Sequence, residues 1–211
     1  MATFALPKLY AITDARLTGL THAEQVARLC AGGAKLIQLR EKHASPRAFY
    51  AAAEAALQVA RAHGARLVIN DRADIALAIG ADGVHLGQDD LDPRAARRLL
   101  GPAAIIGYST HNIAQAQAAA ALPLTYLALG PVFATQTKEQ PDPVVGLTGI
   151  ARVRAALPPR LPLVAIGGIT EGNARAVLAA GADAVAVVGA LLAAPAEIAA
   201  RTAAFLQSLT A

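Results

Sequence analysis

The chain has 211 residues, 55% of them apolar but only 4% aromatic, with no tryptophan. Its formal charge is +4 and its pI about 9.6, yet the basic residues are spread along the chain and aromatics are too few to stack bases, which argues against a nucleic-acid partner and suits small anionic substrates. Cys30 is the single cysteine and lies in the apolar stretch Val26-Ala27-Arg28-Leu29-Cys30, which excludes an intrachain disulfide or a cysteine metal cluster and reads as a small buried hydrophobe.

Short β-rich runs alternate with longer alanine-rich helical runs. In chain order, strands are expected at 8–13, 35–39, 66–69, 83–86, 105–108, 126–129, 163–166 and 184–188. The helices that follow them are expected at 22–32, 46–63, 72–79, 93–100, 112–121, 147–157, 170–180 and 195–208. Most strands are continuous apolar runs, as expected of parallel strands covered on both faces. Ser45-Pro46 and Asp92-Pro93 each read as a helix cap followed by proline at the first helical position, and Thr170 as another cap. Helix ends share a pattern too: Ala31-Gly32-Gly33-Ala34, then Gly80-Ala81-Asp82 and Gly181-Ala182-Asp183, each one short turn before a strand.

Eight βα units in one chain predict an α/β fold of the closed (β/α)8 TIM-barrel type, a single domain over 1–211. The alternative is a doubly wound open sheet, but Asp14-Ala15-Arg16 after the first strand lacks the Gly-x-Gly-x-x-Gly turn of that class. No run of about 18 uninterrupted apolar residues predicts a transmembrane helix, and the start lacks a signal-peptide pattern. The expectation is a cytoplasmic protein with no membrane partner.

In a barrel the loops after the strands build the active site, and polar residues gather there. Gln38, Arg40 and Lys42 fall on one side of an extended segment. Asn70-Asp71, His85, Gln88-Asp89-Asp90 and Ser109-Thr110-His111 end the next strands. Strand six opens into Gly130-Pro131-Val132-Phe133-Ala134-Thr135-Gln136-Thr137-Lys138, and strands seven and eight end in Gly167-Gly168 and Gly189-Ala190. Each group has a plainer reading. Arg40 and Lys42 read equally as a solvated pair, Asn70-Asp71 as a turn, His85 as a satisfied core histidine, and His111 as the start of a helix. The recurrence at one strand end after another favours a site.

Arg40, Lys42 and Lys138 offer fixed positive charge for phosphate oxygens. Asp71 and Asp90, from adjacent strand ends, suit Mg2+, which typically takes one or two carboxylates and completes its shell with water and phosphate. The glycines after strands seven and eight offer bare backbone N–H groups to a second anion. No Ser-His-Asp order or activated cysteine stands out, so metal and cations stabilising a departing diphosphate would be the main catalytic effect.

Gln38-Leu39-Arg40-Glu41-Lys42, Ile69-Asn70-Asp71-Arg72, Gly83-Val84-His85-Leu86-Gly87-Gln88-Asp89-Asp90, Gly107-Tyr108-Ser109-Thr110-His111, the 130–138 segment and Ala165-Ile166-Gly167-Gly168-Ile169 resemble the ordered motifs of the thiamine-phosphate synthase family. The resemblance runs from Leu9-Tyr10-Ala11-Ile12-Thr13 to strand eight. It implies a transferase of thiamine biosynthesis that joins 4-amino-2-methyl-5-(diphosphomethyl)pyrimidine to a (carboxy)thiazole phosphate, releasing diphosphate. Departure of diphosphate would come first, and the thiazole nitrogen would capture the pyrimidine-methyl cation.

By resemblance, the 38–42 segment (Leu39 and Glu41 included), Asn70, Ser109 and Lys138 would hold the pyrimidine diphosphate, with Arg40, Lys42, Ser109 and Lys138 catalytic. Asp71 and Asp90 would bind Mg2+. Thr135, Gln136, Thr137, Gly168, Val188 and Gly189 would hold the thiazole phosphate. Two positions depart from the family's usual pattern: Gly189 replaces a serine, removing a hydroxyl donor to phosphate, and Ala134 replaces a common proline. The nearest rival is a thiazole tautomerase on the same barrel, for which His111 is the proton-transfer candidate; a non-catalytic phosphate-ligand binder is another. The sequence leaves open a homo-oligomer, and whether 130–146 is a lid or a rigid loop.

Overall fold

The computed structural model describes residues 5–135 and 142–210. Its strands are β1 (Leu9–Asp14), β2 (Leu36–Arg40), β3 (Arg66–Asn70), β4 (Gly83–Leu86), β5 (Ile105–Thr110), β6 (Tyr126–Leu129), β7 (Leu163–Ile166) and β8 (Ala184–Val187). All pair in parallel in chain order, and β8 closes onto β1 through the register Leu9↔Val185 to Ala11↔Val187. The expected barrel is present, and strand bounds shift by one or two residues at seven of the sixteen ends.

Between the strands run α1 (Ala15–Thr18), α2 (His22–Ala31), α3 (Pro46–Ala62), α4 (Ala73–Ile79), α5 (Pro93–Leu100), α6 (Ile113–Ala119), α7 (Gly146–Ala156), α8 (Glu171–Ala179), α9 (Gly189–Leu192) and α10 (Ile198–Thr210). Two of these, α1 and α9, had no counterpart in the sequence reading. Each is a four-residue turn of helix directly after a strand, too short to show any periodicity. No described helix is long and apolar enough to cross a membrane.

The caps form as expected. Ser45 accepts from Ala48 N, and Asp92 from Arg94 N and Ala95 N. The repeated Gly-Ala-Asp also gains a meaning. Gly80 and Gly181 take left-handed φ of 66° and 111°, which a Cβ would disfavour. Asp82 and Asp183 then accept from the backbone N–H of Leu67 and Leu163 at 2.9 and 2.8 Å, latching the start of β3 to β4 and of β7 to β8.

Alternation along the strands sorts side chains into two cores. Leu9, Ala11, Ile37, Leu39, Leu67 and Ile69 face the helices. Tyr10, Ile12, Leu36, Val68, Ile105, Tyr126 and Val164 fill the barrel. The low aromatic content is concentrated where it counts: Tyr10 and Tyr126 meet edge-on across the interior, with ring centroids 5.6 Å apart. Gly107 makes the room, since a Cβ there would sit 2.1 Å from Tyr126 Cζ and 2.6 Å from His85 Nδ1.

Because the aspartate latches lie at the strand starts, away from the rim, Asp183→Ala is expected to lower stability by about 1 kcal/mol and leave catalytic rates unchanged. Denaturant unfolding set beside steady-state kinetics checks both halves.

Candidate active site

The strand C-termini surround a cavity of about 910 Å3. Of the residues expected to work together, Gln38, Arg40, Lys42, Asn70, Asp71, Asp90, Ser109, Thr135, Gly168, Val188 and Gly189 all line it. Leu39 and Glu41 do not. Leu39 points outward and packs beneath the helices, and the Glu41 carboxylate turns away towards His22. Gln136, Thr137 and Lys138 lie outside the described residues.

On one wall, the inward side of β2 delivers Gln38, Arg40 and then Lys42. Arg40 is held by Asp14, 2.8 Å from its guanidinium, a residue the sequence reading passed over. Asp14 also caps α1, accepting from Arg16 N and Leu17 N. The available signal was its position at the end of β1. Lys42 pairs with the Asp71 carboxylate. Asp71 itself sits at φ 61°, a left-handed conformation that aspartate tolerates better than most residues, fixed by its N–H donating to His85 O at 2.8 Å.

Asp90 accepts from Gly87 N at 2.6 Å. Burial, and then the facing carboxyl of Asp71, push Asp90 above the ordinary carboxylate range despite that bond and Lys42. Two carboxylates crowded so that one gains proton affinity form a donor set that a divalent cation would relieve. Asn70 Nδ2, buried beside them, has no partner among the described residues. No cluster of three or more His, Cys, Asp or Glu suited to a metal occurs among those residues, so water and substrate oxygens would have to complete a hexacoordinate shell.

The cavity floor is a hydrogen-bonded chain. Ser109 Oγ lies 2.8 Å from His85 Nε2, and His85 Nδ1 lies 2.9 Å from Tyr126 Oη. Tyr126 donates to Tyr10 Oη at 2.9 Å, and Gln38 Nε2 donates to the same oxygen at 3.1 Å. Two expected substrate-binding residues on opposite sides of the barrel are thus joined through its centre. Burial drives His85 down from 6.5 to about 4, the field of Asp90 opposing and that of Lys42 assisting. Burial raises both tyrosines. The chain is therefore neutral near pH 7.

The opposite wall is backbone. Gly167 and Gly168 have φ of 101° and 64°, and a Cβ on Gly168 would lie 2.6 Å from Ala134 O. Phe133 N donates to Gly167 O at 3.0 Å, so the segment after β6 is laid against the end of β7. Asn173 donates to Gly168 O at 3.0 Å. Beside them α9 begins at Gly189, where a Cβ would meet nothing within 4 Å. His111 lies between the walls, its Nδ1 at 2.7 Å from Gly130 O and 3.4 Å from the Asp142 carboxylate. Asp142 and Gly130 bracket the undescribed part of the 130–146 segment.

A family model for thiamine monophosphate synthase matches residues 9–191. The chain is 47% identical to a thiamine-phosphate synthase of Koribacter versatilis, the alignment covering 97% of this chain and 96% of the relative. It is 50% identical to one of Albidiferax ferrireducens over 89% and 85% of the two. Among solved structures, a thiamine phosphate pyrophosphorylase from Pyrococcus furiosus superposes with a TM-score of 0.85 at 36% identity, covering 96% of this chain and 95% of that one.

The neutral His85 has a thermodynamic signature. Its folded value of about 4 lies below the unfolded value of 6.5. Between the two, the unfolded chain binds a proton that the folded chain does not. Stability is therefore full above pH 6.5 and falls as pH drops towards 4, by about 3 kcal/mol at most. His85→Gln is expected to flatten that decline. Identical pH–stability slopes for the two proteins in denaturant titrations would rule out the buried neutral imidazole.

Proposed function

The chain belongs to the thiamine monophosphate synthase family, and from that premise we propose how its rim carries out the transfer. It is a thiamine-phosphate synthase, a transferase of thiamine biosynthesis acting on small molecules. The site assignment rests on one observation above all: Asp71 and Asp90 meet at the cavity wall beside Lys42 and Arg40, facing a wall of bare backbone at Gly168 and Gly189.

In this reading Arg40, Lys42 and Lys138 hold the diphosphate of the pyrimidine substrate, and Asn70, Ser109 and Gln38 orient its ring. Asp71 and Asp90 would hold Mg2+, which when bound supplies charge neutralisation at the phosphate oxygens. The bond between the methylene carbon and the bridging oxygen breaks with its electron pair going to diphosphate. The thiazole nitrogen then forms the new carbon–nitrogen bond with its lone pair. Thr135, Gln136, Thr137, Gly168 and the Val188-Gly189 backbone hold the thiazole phosphate across the cavity. No side chain is needed as a nucleophile, and the neutral floor from Ser109 to Tyr10 gives the ring a fixed, uncharged bed. The absence of disulfide chemistry at Cys30, which is buried, suits a cytoplasmic setting.

Mixing both substrates with and without Mg2+ tests the reading: thiamine phosphate should form only with the metal. Full turnover in excess chelator would overturn the assignment of Asp71 and Asp90. Asp71→Gly separates chemistry from fold. Relief of the left-handed φ offsets glycine's extra unfolded-state entropy, so stability should hold within about 1 kcal/mol. Turnover should fall at least on the order of 100-fold.

Gly189→Ser tests the second anion site. The backbone there accepts a side chain without contact, so folding should be unaffected. A restored hydroxyl donor, worth about 0.5–1.5 kcal/mol, should lower the KM for thiazole phosphate roughly two- to tenfold. An unchanged KM would place that phosphate elsewhere.

A further inference from the structure

We propose that His22, which lies outside the cavity, is a positioning residue for Lys42, acting through the carboxylate of Glu41. The inference deepens the function proposed above and rests on its reading of Lys42 as a group that holds diphosphate.

The observations begin with a buried polar cluster that the catalytic site does not use. Thr13 Oγ1 lies 2.8 Å from His22 Nδ1, and His22 Nε2 lies 3.3 Å from Glu41 Oε2. Hydroxyl, imidazole and carboxylate in that order is the connectivity of a hydrolase relay. Here it cannot serve that purpose, because Thr13 is 0% exposed and His22 3%, and neither reaches the cavity. Burying an imidazole costs free energy unless both ring nitrogens are matched, and here both are.

The protonation pattern is consistent. Burial lowers His22 below its usual range, with Glu41 only partly opposing it. Burial alone would raise Glu41, but the bonds from His43 N, His22 and Ala44 N together outweigh it and keep the carboxylate charged. The imidazole is therefore neutral, donating from Nε2 to Glu41 and accepting at Nδ1 the Thr13 hydroxyl, whose one hydrogen lies nearer Nδ1 at 2.8 Å than its other acceptor, Gln38 O, at 3.3 Å. Oε2 is thereby pinned from below.

The other oxygen of the same carboxylate works upwards. Oε1 accepts from His43 N at 2.7 Å and Ala44 N at 3.1 Å, tying down the turn that leaves β2. Lys42 is inside that turn, and its ammonium reaches Asp71. The turn ends at Ser45, the cap of α3. One carboxylate, held at one oxygen by a buried histidine, thus sets the backbone that carries the lysine. Without His22 the Glu41 carboxylate keeps only its bonds to the turn itself, and the turn loses its tie to the buried framework.

Three variants test this: His22→Leu, which removes both ring contacts; His22→Gln, whose amide can accept from Thr13 and donate to Glu41; and Glu41→Gln. Each is read by amide hydrogen exchange at His43 and Ala44 and by kinetics towards each substrate. In His22→Leu the two amides should exchange faster. The kcat/KM for the pyrimidine diphosphate should fall about tenfold or more, with the KM for thiazole phosphate unchanged. His22→Gln should recover most of both. Should His22→Leu fail to fold, Glu41→Gln, at the barrel's edge, carries the same expectation. Wild-type exchange at His43 and Ala44, or an equal loss towards both substrates that His22→Gln does not repair, overturns the proposal. If the wild-type chain formed no thiamine phosphate, the function reading would fail, and the exchange measurements would still decide whether His22 supports the turn.

Discussion

Closure of β8 onto β1 is the constraint from which the rest follows. Once Val185 N donates to Lys8 O at 2.9 Å, every second side chain of every strand points into one shared interior of fixed width. That interior is small, so its contents must be chosen jointly. Tyr126 fits there because Gly107 yields space, and Ala184 and Ala186 are small members of the same cluster. A parallel ring also sends all strand C-termini to the same end. Side chains far apart in sequence therefore converge on one rim without any loop having to reach for another.

At that rim, charge is organised before any ligand arrives. Arg40 is braced by Asp14 and Lys42 by Asp71, so neither cation must be gathered from solvent when an anion enters. The floor beneath is neutral and fully bonded, from Ser109 through His85 and Tyr126 to Tyr10. An uncharged floor below a charged mouth concentrates electrostatic effects at the mouth and leaves the floor to shape and hydrogen bonding. The contrast between walls follows the same logic. Cations and carboxylates line the side where charge would be released. Bare N–H groups and short helix α9 line the other.

Much of this was legible in the chain. Continuous apolar runs marked the strands because both faces of a barrel strand are covered, and polar residues at their ends marked the rim. Alternation placed Gln38, Arg40 and Lys42 together correctly, and by the same rule Leu39 belonged outside. Glu41 obeys the same rule: its carboxylate leaves the cavity side and turns to His22. Asp14 was hidden because a carboxylate that braces an arginine looks, in sequence, like any other strand-end residue. The floor was beyond sequence reading altogether: Tyr10 and Tyr126 are separated by 116 residues, and only closure of the ring brings their hydroxyls together. The helices α1 and α9 were missed because a single turn carries no period.

Two neighbouring glycines on the backbone wall have opposite consequences for how such a chain can change over time. At Gly168 the left-handed backbone and the nearby carbonyl of Ala134 forbid any side chain; that position is locked by the fold. At Gly189 the space is open and the backbone ordinary. Mutation there is invisible to folding and felt only by whatever ligand rests on that wall. A single substitution at position 189 can therefore retune the ligand wall with no compensating change elsewhere, while position 168 admits no such step.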